Sequence, residues 1–149
     1  MTVLWQATLV STCPPRTKKN SGRIVRMGAA HRMLPSAAYE QWEAGMRFDP
    51  SPDANHLAMW NWWRKLTQKT RAQHGKPVPI IAASVPINCC ALVYRDAARG
   101  DACGYYQAIG DALEAWGIIA NDKWIVSWDG SRLLKDAANP RVEVVLSST

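Results

Sequence analysis

The sequence has no Asp or Glu before Glu40, no CxxC pair among its four cysteines, and no apolar run that approaches the length of a membrane span. Each absence excludes something. A spanning helix needs about 20 consecutive apolar residues, so a soluble, cytoplasmic protein is expected, with no membrane partner. The first ten residues, MTVLWQATLV, also lack the charged leader of a signal peptide and alternate as a strand does. Cys13, Cys89, Cys90 and Cys103 offer only a vicinal pair within an apolar run, which suits reduced core thiols better than disulfides or a zinc site. His31, His56 and His74 have no ligand-like spacing. There is no internal repeat, low-complexity tract or linker, and 149 residues suit a single domain with its own core.

The missing acids locate the charge. The formal net charge is +6, and residues 1–39 carry Arg16, Lys18, Lys19, Arg23, Arg26 and Arg32, while the remainder is balanced at 12 basic and 12 acidic side chains. Such a basic segment attracts a polyanion through counterion release. A solvated loop that aids solubility is the plainer alternative.

Hydrophobic periodicity predicts an α/β sandwich, a mixed β-sheet with packed helices. Val3 to Val10 reads as a strand ended by Pro14-Pro15, and the loop PPRTKKNSGR follows it. Arg23 to Met27 suits a short strand. Pro35-Ser36 opens a helix through Arg47, with Tyr39, Trp42 and Met46 at helical spacing. Ser51-Pro52-Asp53 starts, and Gly75 with Pro77 stops, a long Trp-rich helix carrying Met59, Trp60, Trp63 and Leu66 on one stripe. That stripe is either core or a platform for unpaired bases. Val85 to Tyr94 reads as a buried central strand. A helix over Ala102 to Trp116 then sets Tyr105, Ile109, Leu113 and Trp116 on one face, with Gly117 as its stop. Trp124 to Trp128 and Arg141 to Leu146 suit strands, joined by a turn-rich segment over Asp129 to Pro140.

Chemistry concentrates in GDACGYYQAIGDALEAWGIIANDKWI, residues 100–125. Asp101 and Asp122 bracket the helix, and carboxylates are what a hard divalent cation needs for phosphodiester hydrolysis. Each also has a structural reading, Asp101 as a helix cap and Asp122 as a turn residue.

The loop PPRTKKNSGR, the phrase LPSAAYEQW, the segment at 100–125 and the ending KDAANPRVEVVL, in that order, resemble the RusA family of Holliday-junction resolvases. The resemblance covers 1–149 as one RusA-like nuclease domain, with the Trp-rich helix at about 51–75 as an insertion. It implies a homodimer that binds four-way DNA junctions and cuts them with Mg²⁺ or Mn²⁺ held by aspartates, in the host cytoplasm if the protein is phage-encoded. The family pattern D-x-D-N-x-x-K, then D-A-L, then D-D, maps its first aspartate to Asp101, its helical one to Asp111 and its last to Asp122. Cys103, Gly104, Gln107 and Asn121 stand where the pattern has Asp, Asn, Lys and Asp. A neutral thiol is a poor Mg²⁺ ligand, and Gln107 removes a cation from the scissile phosphate. A catalytically degenerate RusA-like DNA-binding or assembly protein is therefore the alternative to an active Mg-dependent endonuclease. A protein-interaction module built on the Trp-rich helix is a third reading.

Helix rise bears on the ligand set. Asp101 and Asp111 are separated by about 15 Å along one axis, too far to share an ion. Asp111 then reads as structural. Asp122 reaches Asp101 only by a fully extended return or across a dimer. Arg16, Lys18, Lys19, Asn20, Arg23 and Arg26 are the expected phosphate contacts, with Arg95, Arg99, Lys123 and Lys135 flanking the acidic segment.

Overall fold

The computed structural model describes residues 2–11, 13–17, 23–49, 65–66, 69, 73, 75 and 78–149. Lys18, Lys19, Asn20, His56, His74 and nearly all of the expected Trp-rich helix lie outside them. The chain runs β1 (Val3–Val10), β2 (Arg23–Met27), β3 (Ala30–Leu34), α1 (Ala37–Gly45), β4 (Arg47–Asp49), β5 (Ile87–Arg95), α2 (Ala102–Ala115), a 3-10 turn (Asp122–Trp124), β6 (Ile125–Ser127), β7 (Arg132–Lys135) and β8 (Arg141–Ser148).

A mixed sheet organises these elements, in the order β4-β1-β8-β5-β6, with β7 also paired to β5. Antiparallel ladders join β1 to β4, β1 to β8, and β8 to β5. Both β6 and β7 run parallel to β5, at successive stretches of one edge. Their ladders leave a gap at Cys89 and Ala91, and the Ser131 hydroxyl fills it. It accepts from the Ala91 N–H at 2.9 Å and donates to the Cys89 carbonyl at 3.0 Å. Asn88 does the same one step earlier, accepting from the Asp129 N–H at 2.9 Å and donating to its carbonyl. These bonds satisfy buried edge groups that would otherwise be costly to leave unpaired. They also fix Trp128, which matters for the site.

Alternation puts Leu9, Cys89, Ala91, Val93, Val142, Val144 and Leu146 into the core, each at most 1 % exposed. Helices α1 and α2 share that core. Ser36 caps α1, its hydroxyl accepting from the Tyr39 N–H, and Tyr39 and Trp42 are buried. Helix α2 contributes Tyr105, Ala108, Ile109, Ala112 and Leu113. After α2, Gly117 at φ +71° turns the chain, as expected of a stop glycine. Ile118 and Ile119 then fold back beneath the helix, the Ile118 N–H donating to Leu113 at 2.9 Å.

Two secondary-structure expectations change. The segment at 129–140 is not only turns, because Arg132–Lys135 forms β7. The first helix stops at Gly45 rather than Arg47, and Arg47–Asp49 becomes an edge strand on β1. The short strand expected at Arg23–Met27 is present with those bounds, paired with β3 in a two-stranded sheet separate from the main one. The cysteines are all free, but only Cys89 is a core thiol in the full sense; Cys13 and Cys90 are half-buried and Cys103 is exposed. Among the described residues no helix is long and apolar enough to cross a membrane.

Leu113 is fully buried at the centre of this packing. Leu113→Ala is expected to lower the unfolding free energy by about 2–5 kcal/mol, while Val126→Ala, at an exposed position, stays within about 0.5 kcal/mol. Denaturant midpoints of the two variants measure the contrast.

Candidate functional site

Helix α2 carries the site, and its first turn is crowded by design of the sequence around it. Asp101 is the N-cap, with Oδ1 accepting from the Gly104 N–H at 2.6 Å. Thr17, from the basic loop, lies across the same turn. A Cβ at Gly104 would sit 2.9 Å from Asp101 Oδ1 and 3.0 Å from Thr17 Cγ2. Gly100, at φ +72°, is equally confined, since a Cβ there would sit 2.9 Å from Thr17 Cγ2 and 3.0 Å from the Tyr105 ring. The asparagine of the RusA-like pattern cannot occupy position 104 here without displacing Thr17 or the capping carboxylate.

Ionic contacts hold the loop in that place. Arg16 makes a two-pronged pair with Asp96, Nη1 to Oδ1 at 3.0 Å and Nη2 to Oδ2 at 3.3 Å. The hydrogen bond from Arg16 holds the Asp96 carboxyl below its ordinary pKa, and the pairing raises that of Arg16. Arg99, much more exposed, approaches Asp96 at 3.7 Å. Arg95 bends over the connection from β5 to α2, donating from Nη1 to the Arg99 carbonyl at 3.2 Å, and its guanidinium lies 5.9 Å from the centre of the Tyr105 ring. The Tyr105 hydroxyl donates to the same carbonyl at 2.9 Å; burial raises its pKa.

Further along, the exposed face of α2 forms one wall of a cleft of about 340 Å³, lined by Cys103, Tyr106, Gln107, Gly110, Asp122, Ile125 and Trp128. Tyr106 and Trp128 stack in parallel, 4.6 Å between ring centres and 7° between planes. Asp122 sits low in the cleft because Gly110 has no side chain: a Cβ there would lie 3.4 Å from the Asp122 Cβ. The turn that presents Asp122 is held by Glu114. Its Oε2 accepts from the Asp122 N–H at 3.0 Å and from Asn121 Nδ2 at 3.1 Å. Asn121 in turn caps the 3-10 turn, accepting from the Lys123 N–H. A second aspartate at 121 would face the Glu114 carboxylate, so asparagine is the residue this neighbour requires.

The expected site residues therefore divide. Cys103, Gln107 and Asp122 line one cleft, with Asp101 at the start of the helix behind them. Gly110, the level at which Asp122 sits, is nine residues beyond Asp101, a rise of about 13.5 Å. A single Mg²⁺, with ligands at about 2.1 Å, does not take both carboxylates from one chain. The extended return within one chain is not made, because Ile118 and Ile119 bury themselves and land Asp122 at Gly110. Among the described residues no three His, Cys, Asp or Glu side chains gather to hold a metal ion. Among the described residues the cleft is offered the carboxylate of Asp122 and the amide oxygen of Gln107, fewer oxygens than a hard cation takes.

Asp111 lies on another side of α2, half-buried and close enough to α1 to affect Tyr39, whose phenol is pushed up in pKa by burial first and then by the carboxylates of Glu43 and Asp111. Of the basic residues, Arg23 is paired with Glu40, and Arg26 donates from Nε to the Gly28 carbonyl at 3.1 Å. Lys123 lies over the Trp124 ring, 5.1 Å from its centre, and Lys135 is exposed at the end of β7. Sequence reading missed Glu114 as the holder of the Asn-Asp turn and Asp96 as the partner of Arg16. The second is separated from Arg16 by 80 residues, and no local signal reveals it.

No protein-family model matches the sequence, and no curated protein matches it either.

Two measurements check this geometry. Asn121→Asp is expected to destabilise the fold by about 1 kcal/mol through like-charge contact, and adding Glu114→Gln to remove most of that loss. Asp96→Asn loses the stability that comes from a lowered carboxyl pKa. That contribution is fully present above the ordinary aspartate pKa and is lost as the pH falls through the lowered one, so melting curves of variant and wild type converge in acid.

Proposed function

We propose that the chain is a RusA-like endodeoxyribonuclease that acts on branched DNA, with four-way Holliday junctions as its substrate class and a homodimer as its working form. The observation that carries this reading is a convergence. The basic loop at Arg16 and Thr17 packs onto the capped start of α2, one turn from a cleft that holds Cys103, Gln107 and Asp122. Loop and cleft are the parts that the motif resemblance pairs as phosphate contacts and chemistry, and they are far apart in sequence.

In this reading Arg99, Lys123 and Lys135, with the basic loop, take the phosphate backbone. Asp122 offers the cleft's one carboxylate and Gln107 an amide oxygen; Mg²⁺ or Mn²⁺ held there would polarise a phosphate and activate water. Asp101 keeps one oxygen on the Gly104 amide, and its charge lies at the helix N-terminus. The aromatic pair Tyr106 and Trp128 closes one side of the cleft and restricts water there.

A second reading, a RusA-like DNA-binding or assembly protein without cleavage, has one specific observation behind it. The cleft has a thiol and an amide where a hard-cation site would have a carboxylate and a cation.

A synthetic four-way junction incubated with Mg²⁺ and with Mn²⁺ separates the two. The nuclease reading expects paired symmetric cuts, reduced about 100-fold or more by Asp122→Asn. Asp101→Asn is the informative partner, because asparagine caps a helix as well as aspartate: it should leave the melting temperature in place and still lower cleavage. Salt-sensitive junction binding without cuts in either metal would establish the second reading. Cys103→Asp should raise metal affinity by on the order of tenfold if the matching of positions is right, and adding Gln107→Lys should act on the cleavage rate, through the scissile phosphate, rather than on metal affinity.

A further inference from the structure

The β2–β3 hairpin has a composition that its place in the fold does not explain. It forms a two-stranded sheet that is not hydrogen-bonded to the main one. Isolated hairpins are marginal in water and usually bury one face. Here the register pairs Ile24 with Met33 and Arg26 with His31, so all four side chains share a face. Ile24 is 68 % exposed and Met33 78 % exposed, and Arg26 and His31 are exposed too. The opposite face carries the half-buried Val25 and Leu34. The apolar pair is therefore turned outward, next to basic groups. Residues 23–34, RIVRMGAAHRML, contain three arginines and a histidine and no acid. Among the described residues Arg26 has no acidic partner, whereas Arg23, at the foot of the hairpin, is tied to Glu40 on α1.

Charge decides which partner fits this face. A second copy docked across a two-fold axis would set Arg26 and His31 against their own counterparts. The two aliphatic side chains also offer well under half of the ~800 Å² per partner that a stable interface buries. A polyanion meets the face with the right sign. A two-stranded ribbon matches the width of a DNA groove, and Ile or Met is the kind of side chain that DNA-bending proteins push between base steps. Insertion costs least where stacking is already broken, as at a branch point.

We infer that the β2–β3 hairpin is a DNA-inserting arm, with the Ile24–Met33 pair wedged into the open base step of a branched duplex while Arg26 and His31 hold the flanking phosphates. The inference rests on the branched-DNA reading above and adds an element to it. The arm's foot is positioned by the Arg23–Glu40 pair and by the Ser36 cap that begins α1 directly after β3.

The test uses the full-length chain, in Ca²⁺ to suppress cleavage, and a synthetic four-way junction with 2-aminopurine at the branch point, beside a linear duplex with the same label. Wild type should bind the junction with a clear fluorescence rise, the sign of an unstacked base. Ile24→Thr with Met33→Gln should lose that rise and weaken junction binding about tenfold, from the stacking it forfeits. Its duplex affinity and melting temperature should be unchanged, since both positions are exposed and threonine is at home in strands. Arg26→Ala should keep the rise and reduce the salt slope of binding by about one. Junction binding by wild type without a rise, or a rise that survives the double substitution, would overturn the wedge and leave the branched-DNA reading standing. No binding to either DNA would end both. A double variant that changes from dimer to monomer in light scattering would also overturn the wedge, by assigning the pair to a second copy.

Discussion

The seating of α2 on the sheet is the constraint from which the rest of the molecule follows. Tyr105, Ile109 and Leu113 bury one stripe of the helix, together with Ala108 and Ala112, in the core that β5 and β8 also line. With that stripe committed to the core, Cys103, Tyr106, Gln107 and Gly110 are left on the other side by helical geometry alone. They can only line a surface. Whatever the cleft binds, its far wall is supplied by the segment from Asp122 to Trp128, and that segment is held by side-chain bonds to β5 and to Glu114.

The same helix explains why the basic loop matters. The six cations of residues 1–39 look like a free patch when read along the sequence, but Arg16 and Arg23 each have a carboxylate partner from beyond residue 39. Their role is in part positional. Half-exposed ion pairs add little to stability, yet the fork of Arg16 on Asp96 sets the path of Thr17 across Gly100 and Gly104. A change at Arg16 acts through geometry as well as through charge.

Departures from the RusA-like pattern also become local statements. Gly104 is glycine because Thr17 and the Asp101 carboxylate occupy the space that a side chain would need. Asn121 is an amide because Glu114 already brings a negative charge to that turn. Among the described residues Cys103 and Gln107 have no such neighbour; both line the cleft, where a change of residue alters chemistry rather than packing.

Much of the architecture was legible in the residues. Val3–Val10, the strand ending at Arg95, the helix from Ala102 and the strand from Arg141 all carry long periodic patterns, and each element lies within a residue or two of where periodicity placed it. Two short strands were not, because Arg47–Asp49 and Arg132–Lys135 exist only through their pairing with β1 and β5, an energy no window of three or four residues contains. For the site, the sequence by itself determined which residue types were available: a capping aspartate, a cysteine and glutamine one turn apart on the free face of a helix, an Asn-Asp turn and a block of cations. Only the tertiary structure decided that Asp122 lands at Gly110 rather than at Asp101, and that Arg16 belongs to Asp96. Periodicity is a property of neighbours in the chain, whereas those contacts depend on where buried Ile118 and Ile119 and the long connection between residues 16 and 96 bring the backbone in space.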